Sequence, residues 1–311
     1  MSTNFLKNLN PFYSVLMLGY ALTTFEAVLP SSSYAHGGGR EEPLEAGEFR
    51  TSPLLTVEGH GGFENNLEGK PSHYGLDTLL GVVMEWGLEN DAKFSIEAGI
   101  GPVLVWGEAE HFYGAVHEEN EHDADEHDAE FKRTDIRGLL QFKYSPNERL
   151  SFLLDTKPYL ITRNQAEEEE GIKNEIGAKA LFELGNGDVN FALGDQFTDL
   201  IGGAYLSLEH RQGWGSDGEW QGSYTDPRVG VGFNFDLLAI SLEVGPRFYS
   251  PNDHSDLSER TDFASELELS RPIGEKVDGF IHWQPTFSNK DGHEWGEGWQ
   301  HHVGTGVTFR F

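Results

Sequence analysis

The chain contains no cysteine, and long apolar runs are scarce in it. Without cysteine there is no disulfide scaffold and no thiolate chemistry. Beyond the first 35 residues, no segment reaches the roughly 18 consecutive apolar residues of a transmembrane helix, and the mean hydropathy is −0.47. Helical membrane spans are therefore excluded, and the chain must hold together by backbone pairing.

Positive charge is also scarce. Lys and Arg together number 22 against 52 Asp and Glu, which gives a formal net charge of −30 at pH 7. Binding to nucleic-acid phosphates requires clustered cations. We therefore expect no nucleic-acid partner.

The N-terminal 35 residues have the composition of an export signal. Lys7 precedes a mostly apolar stretch over 12–29, and Ser33-Tyr34-Ala35 follows it. A basic start, an apolar middle and a small-x-Ala exit are typical of a secretory signal peptide. We expect cleavage after Ala35; the alternative is a membrane anchor, which Glu26 within the apolar stretch disfavours.

Apolar and polar residues alternate with a period of two along the rest of the chain. In 76–86, for example, Leu76, Leu80 and Val82 share one face, and Asp77 and Glu85 lie on the other. This pattern indicates strands with one apolar face and excludes amphipathic helices. The predicted strands are 52–62, 74–87, 91–107, 131–145, 149–162, 174–184, 188–210, 222–235, 237–250, 261–270, 277–287 and 300–311.

Twelve strands, joined alternately by short and long connections, predict a closed antiparallel barrel. The segment 188–210 is too long for one strand, and 195–203 could be a bulge, an inward fold or two short strands. Counts of ten or fourteen strands are the alternatives. Aromatic residues near both strand ends, such as Trp86 and Trp106, fit the two interfaces of a membrane.

The last ten residues are the most informative stretch. Val303, Val307 and Phe311 fall on one face of a strand, with Gly304 and Arg310 on the other. One apolar face, one small or polar face and a terminal Phe resemble the C-terminal strand of bacterial outer-membrane β-barrels, a porin-like superfamily. The resemblance covers 52–311 as a class pattern.

Membership of that class implies an all-β, closed antiparallel transmembrane β-barrel with long extracellular loops and short periplasmic turns. It implies a location in the outer membrane of a Gram-negative bacterium, contact with outer-membrane lipids and lipopolysaccharide, and insertion by the outer-membrane assembly machinery. The expected organisation is a signal peptide (1–35), a periplasmic N-terminal segment (36–51) and the barrel (52–311).

Charged residues occupy the polar face of the strands, where they would line the lumen. An acidic excess in an open lumen would favour cations, whereas a plugged barrel would use the same charges to brace its wall. The sequence leaves both open. The predicted lumen residues are Glu58, Asp77, Glu85, Glu97, Asp135, Arg137, Lys143, Asp155, Lys157, Arg228, Glu243, Arg247, Glu266 and Arg310.

The segment 108–130 is acidic, lacks Lys and Arg, and carries His111, His117, His122 and His127. Imidazoles and carboxylates bind transition metals, and carboxylates bind Ca²⁺. We expect weak binding of Zn²⁺, Cu²⁺ or Ca²⁺ by this loop and no required cofactor. The spacing matches no formed metal motif, so a solvated acidic loop is the alternative.

No nucleophile elbow, phosphate-binding loop or dinucleotide fingerprint is present, and we expect no enzyme activity. Three functions remain: a passive channel or transporter for small solutes or cations, a surface protein that binds metal ions, and a structural or adhesive barrel with a plugged lumen. The channel is the leading hypothesis.

Overall fold

The protein is described here by a computed structural model, which covers residues 44–64, 73–107, 131–161, 171–184, 189–190, 200–201, 203–215, 218–235, 238–251, 260–287 and 299–311. Nearly all of these residues are in strands, and a short 3₁₀ turn spans Glu89–Asp91. No helix among them is long and apolar enough to cross a membrane. The predicted signal peptide and the histidines of 108–130 lie outside the described residues.

The strands follow one another in the order β1 (Phe49–Glu64), β2 (His73–Gly87), β3 (Lys93–Gly107), β4 (Phe131–Asn147), β5 (Leu150–Ile161), β6 (Gly171–Glu183), β7 (Val189–Asn190), β8 (Leu200–Ile201), β9 (Gly203–Trp214), β10 (Trp220–Phe235), β11 (Leu238–Pro251), β12 (Arg260–Gly274), β13 (Val277–Phe287) and β14 (Trp299–Arg310).

Twelve of the strands in the described part of the chain form one closed antiparallel barrel. The first and last barrel strands seal it: β1 pairs with β14 from Leu54 opposite Arg310 to Glu64 opposite Gln300. Closure leaves no open sheet edge and pairs the backbone polar groups within the sheet, which a lipid environment requires. The predicted closed antiparallel barrel of about twelve strands is confirmed.

The prediction of a single strand over 188–210 is wrong. The barrel strand β9 begins only at Gly203, and β7 and β8 pair with each other as a separate two-stranded ladder. Since β6 pairs directly with β9, β7 and β8 are not part of the barrel ladder. Within 195–203 the structure describes only 200–201, as β8, and Gly203, where β9 begins, so the choice between a bulge, an inward fold and two short strands stays a prediction.

The two faces of the barrel differ in exposure as the alternation predicted. On β2, Leu80 points outward and is 59% exposed, whereas its neighbour Leu79 points inward and is 6% exposed. The outer face carries a band of large apolar side chains, among them Ile100, Leu154, Leu208, Val229 and Ile281. Exposure of so large an apolar surface to water is unfavourable, whereas contact with lipid is favourable.

Aromatic pairs lie at both ends of the strands. At the short-turn end, the Trp86 ring lies 5.0 Å from Phe49 and 5.5 Å from Phe94. At the opposite end, the ring centres of Trp106 and Phe131 are 5.4 Å apart. Aromatic rings at these two levels fit the two membrane interfaces and set the height of the apolar band.

Candidate functional site

The interior of the barrel is the candidate site because many charged and polar side chains are buried there beside apolar ones such as Val103 and Ile161. Asp135 and His282 are fully buried, and Asp226 is 1% exposed. In a soluble domain such positions are apolar. The structure places every predicted lumen residue at an inward position of its strand: Glu58, Asp77, Glu85, Glu97, Asp135, Arg137, Lys143, Asp155, Lys157, Arg228, Glu243, Arg247, Glu266 and Arg310.

Several ion pairs join strands that are not neighbours. Arg137 on β4 reaches Asp77 on β2 across β3. Arg211 on β9 reaches Asp155 on β5 across β6, with Nη2 2.8 Å from Oδ2. Simple neighbour-to-neighbour ladders, the arrangement that alternation alone suggests, would not produce these contacts.

Glycines on the intervening strands make the crossings possible. Gly101 is the β3 residue opposite Arg137. Gly177 lies beneath the Arg211–Asp155 pair, and a Cβ there would come within 2.6 Å of Arg211 Nη2. A side chain at 177 would fill the space that the ion pair occupies, whereas a Cβ at 101 would collide with the backbone of Thr78 on β2.

A dense network covers the inner face of β9, β10 and β11. Asp226 accepts hydrogen bonds from Arg247 Nε at 2.9 Å and from Arg228 Nη2 at 2.7 Å. Arg228 also approaches Glu266 at 3.3 Å. Arg247 stacks over the Tyr224 ring at 4.2 Å.

The carboxylate of Glu243 gathers further partners in the same network. Tyr205 donates to it at 3.0 Å, and Lys179 approaches at 3.4 Å. Charge-assisted bonds of this kind fix the geometry of both partners. This part of the wall is therefore rigid as well as charged.

The two halves of the wall differ in charge. From β4 to β11, cations and acids are interleaved, and we call this half the mixed wall. From β12 through β14 and β1 to β3, the inward-facing ionisable side chains that the structure describes away from the short-turn rim are acids and histidines. We call this half the acidic wall; it contains Glu58, His60, Asp77, Glu97, Asp262, Glu266, Glu268, His282 and His302.

Ion pairs on the inner wall differ widely in solvent exposure. At the rim, the side chains of Arg310 and Asp278 are 24% and 26% exposed and pair at 2.8 Å. Toward the opposite end, Arg133 and Asp135 pair at 2.9 Å with no exposed side-chain surface. The inner wall thus contains both a partly solvated pair at the rim and a fully buried pair.

The acidic wall holds a compact group of three imidazoles. His60 Nε2 lies 3.1 Å from Asp77 Oδ1, and His282 Nε2 lies 3.0 Å from Glu58 Oε1. The His302 ring centre is 5.1 Å from that of His60 and 5.4 Å from that of His282. No three His, Asp or Glu side chains in the described ranges are arranged to hold a metal ion.

Sequence reasoning missed several of these residues. Arg211 was assigned to a long connection, but it lies within β9, two residues beyond Glu209 on the same face. Asp226 and Arg133 also went unassigned, although both continue the polar alternation of their strands. Extending the period-two pattern to the strand ends would have found all three.

Comparison with known proteins gives a match for part of the chain. The family model of a cyanophage outer membrane protein-like beta barrel domain matches residues 190–311, a span that contains β9 to β14. No curated protein matches the chain.

Solved structures with similar strand arrangements have little sequence in common with this chain. The KdgM porin in complex with disordered oligogalacturonate is 7% identical, with 83% of this chain and 99% of that chain covered, at a TM-score of 0.43. The NanC porin is 9% identical, covering 83% and 100%, with a TM-score of 0.42. The translocator domain of the autotransporter NalP from Neisseria meningitidis is 10% identical, covering 96% of each chain, with a TM-score of 0.37. The closed barrel of this chain is shown by its own strand pairing.

Proposed function

We propose that this protein is a narrow outer-membrane channel of a Gram-negative bacterium, through which small solutes and ions pass, and that it is not an enzyme. The apolar outer band suits a membrane, and the charged interior suits water and ions.

The observation that carries the proposal is the burial of paired charges where apolar packing would serve stability better. Replacing buried ion pairs by apolar side chains of similar volume is often neutral or stabilising. If the barrel had only a structural role, apolar side chains at the positions of Asp226, Arg228 and Arg247 would stabilise it as well as the ion pairs do. A charged wall is useful where ions and polar solutes pass.

The asymmetry of the wall supports a preference for cations. Fixed charges on a low-dielectric wall raise the local concentration of counter-ions. On the acidic wall, Glu58, Glu97 and Glu268 are each less than 10% exposed, so they lie in surroundings where water screens them weakly. A cation in the lumen would have these carboxylates on one side and the mixed wall on the other.

Planar-bilayer recording of the purified protein tests the proposal. We expect discrete conductance steps and a reversal potential that indicates a preference for K⁺ over Cl⁻. Neutralising the acidic wall with Glu58→Gln, Glu97→Gln and Glu268→Gln should reduce that preference, while Glu89→Gln, in the exposed 3₁₀ turn, should not. Absence of conductance from a correctly folded barrel would refute the channel.

A second candidate is collection of metal ions by the acidic segment 108–130, which combines His111, His117, His122 and His127 with many carboxylates. Calorimetric titration with Zn²⁺ or Cu²⁺ should then show weak binding that disappears when the four histidines are changed to alanine. Binding that survives those substitutions would exclude this segment as the collector. The two functions are compatible, because the segment lies outside the strands that line the lumen.

A further inference from the structure

The three imidazoles of the acidic wall lie close together and next to two carboxylates. We call His60, His282, His302, Glu58 and Asp77 the histidine cluster. Its members come from four strands, β1, β2, β13 and β14, that are consecutive around the barrel. Two of the imidazoles lie next to a carboxylate: His60 is hydrogen-bonded to Asp77 at 3.1 Å, and His282 approaches Glu58 at 3.0 Å.

Glycines provide the space for the rings. Gly75 on β2 lies beneath the His60 ring, and Gly304 on β14 lies beneath the His282 ring. A Cβ at either position would overlap the imidazole above it, and one at Gly304 would also come within 2.6 Å of Glu58 Oε1. The absence of a side chain at these two positions leaves room for the imidazoles to approach the carboxylates.

Few fixed charges oppose the cluster. Arg137 on β4 pairs with Asp77. Glu268 on β12 is directly opposite His282 in the strand register, and Gln284 on β13 is opposite His302. With neutral imidazoles, the local charge consists of three carboxylates and one guanidinium. The sign of the local charge therefore depends on the protonation of three side chains.

We propose that the histidine cluster is a proton-binding site that sets the ion selectivity of the lumen. Imidazole is the side chain that gains or loses charge between about pH 5 and 8. With neutral imidazoles the three carboxylates outweigh Arg137 and the local charge is negative, whereas three imidazolium groups together with Arg137 make it positive. A proton is the ligand that suits the site, because the donors do not converge as they would around a metal ion.

The inference rests on the proposed channel and is tested first by electrical recording. We expect the K⁺ over Cl⁻ permeability ratio to fall by at least about threefold from pH 8 to pH 5 as the wall loses its negative charge. The triple variant His60→Gln, His282→Gln and His302→Gln should show a much flatter profile. His210→Gln is the matched control, since His210 is exposed on the outer face and bonded to Thr225 and Gln212; it should keep the wild-type profile.

A flat pH profile in a conducting wild-type channel, or an unchanged profile in the triple variant, would overturn the inference. If the triple variant fails to fold, the single variant His302→Gln replaces it, because this residue lies between the other two rings and makes neither of the carboxylate pairs. The single variant should reduce the pH response. An unchanged response would count against the proposal.

Nitrogen-15 NMR of labelled histidines separates failure of this inference from failure of the channel. The spectrum reports imidazole protonation whether or not the barrel conducts. We expect signals that titrate between about pH 5 and 8 and that vanish in the triple variant or, one at a time, in single variants. Cluster imidazoles that hold one protonation state over that whole range would refute the proton site, even if the protein proves to be a channel.

Discussion

At the scale of single residues, inward-facing glycines decide which charges of the wall can meet. Gly177 lies beneath the Arg211–Asp155 pair, and Gly304 lies beneath His282. Both occupy strand positions where glycine would ordinarily weaken the sheet. In both cases the space of the missing side chain is taken by a contact between the two flanking strands: Arg211 with Asp155, and His282 with Glu58.

The substitution Gly304→Ala tests this role. The new Cβ would collide with the His282 ring and come within 2.6 Å of Glu58 Oε1, so the pair must separate or the strands must shift. Overpacking of this kind costs about 1–3 kcal/mol, and we expect a loss of that size in the free energy of unfolding measured with urea in lipid vesicles.

Gly279→Ala is the matched control for that substitution. Gly279 lies on β13 near Ile273, and the nearest atom to an added Cβ would be 3.5 Å away, which is ordinary van der Waals contact. Its free energy of unfolding should stay close to that of the wild type. Equal losses for the two variants would show that strand glycines matter for backbone reasons unrelated to the ion pairs.

Buried and rim ion pairs should respond differently to neutralisation. Asp226 holds two arginines at 1% exposure, whereas Asp278 pairs with Arg310 at about a quarter exposure. Breaking a buried pair costs about 3–5 kcal/mol, and an exposed pair contributes less than about 1 kcal/mol. Asp226→Asn should therefore shift the urea midpoint strongly and Asp278→Asn only slightly; similar shifts would mean that water reaches both sites equally.

Alternation in the sequence predicted the face of each residue but not its partner. Glu58 and Glu243 were placed inward because their neighbours in the strand are apolar. That Glu58 meets His282 and that Glu243 meets Lys179 depends on strand order, strand stagger and the glycines between them. These properties arise only when the sheet closes, which is why the cluster around His60 was not foreseen.

At the scale of the strands, most boundaries followed from local patterning. β2, β3 and β13 begin and end within two residues of the positions that alternation indicated. The exception is 188–210, which alternates enough to look like a strand. In the structure, the barrel partner of β6 is Gly203–Trp214, and the described residues between β6 and Gly203 do not pair within the barrel. Pairing across the sheet overrides local preference here.

A charge on the outer face of a strand should destabilise the barrel. Leu80 is 59% exposed on the outside of β2, and a cation near the middle of the lipid-facing band costs about 2–4 kcal/mol. Leu80→Lys should lower the free energy of unfolding in lipid by that amount. Leu88→Lys, just beyond the end of β2 and 38% exposed, should cost little; an unaffected Leu80→Lys variant would place this face in water instead of lipid.

At the scale of the whole molecule, the protein has its polarity reversed relative to a soluble domain. Its exposed side chains include Ile100, Leu154 and Phe233, whereas Asp135, Asp226 and Glu58 are among its most buried. The negative charge of the chain, which excluded nucleic acid at the outset, is concentrated in part along one half of the inner wall.

The fold class could be predicted from the sequence because a period of two is local. The division into an acidic and a mixed wall could not be predicted, because it depends on which strands become neighbours.

The proposed selectivity should weaken at high salt. The Debye length shrinks from about 10 Å at 0.1 M to about 3 Å at 1 M salt. The electrostatic potential of the acidic wall should therefore extend across less of the lumen. We expect the K⁺ over Cl⁻ permeability ratio to approach that of free diffusion between those concentrations, at a constant ratio of salt across the bilayer. A ratio independent of salt would point to discrete ion binding rather than to the field of the wall.

The central claim is that alternate side chains of each barrel strand face lipid and the interior of a closed cylinder. Because the chain has no cysteine, single cysteines placed successively through 238–244 of β11 can each carry one spin label in lipid vesicles. Collisions with oxygen, which is enriched in lipid, should be high at 238, 240, 242 and 244 and low at 239, 241 and 243. Uniform accessibility, or a repeat of three to four residues, would contradict the barrel and the channel proposed from it.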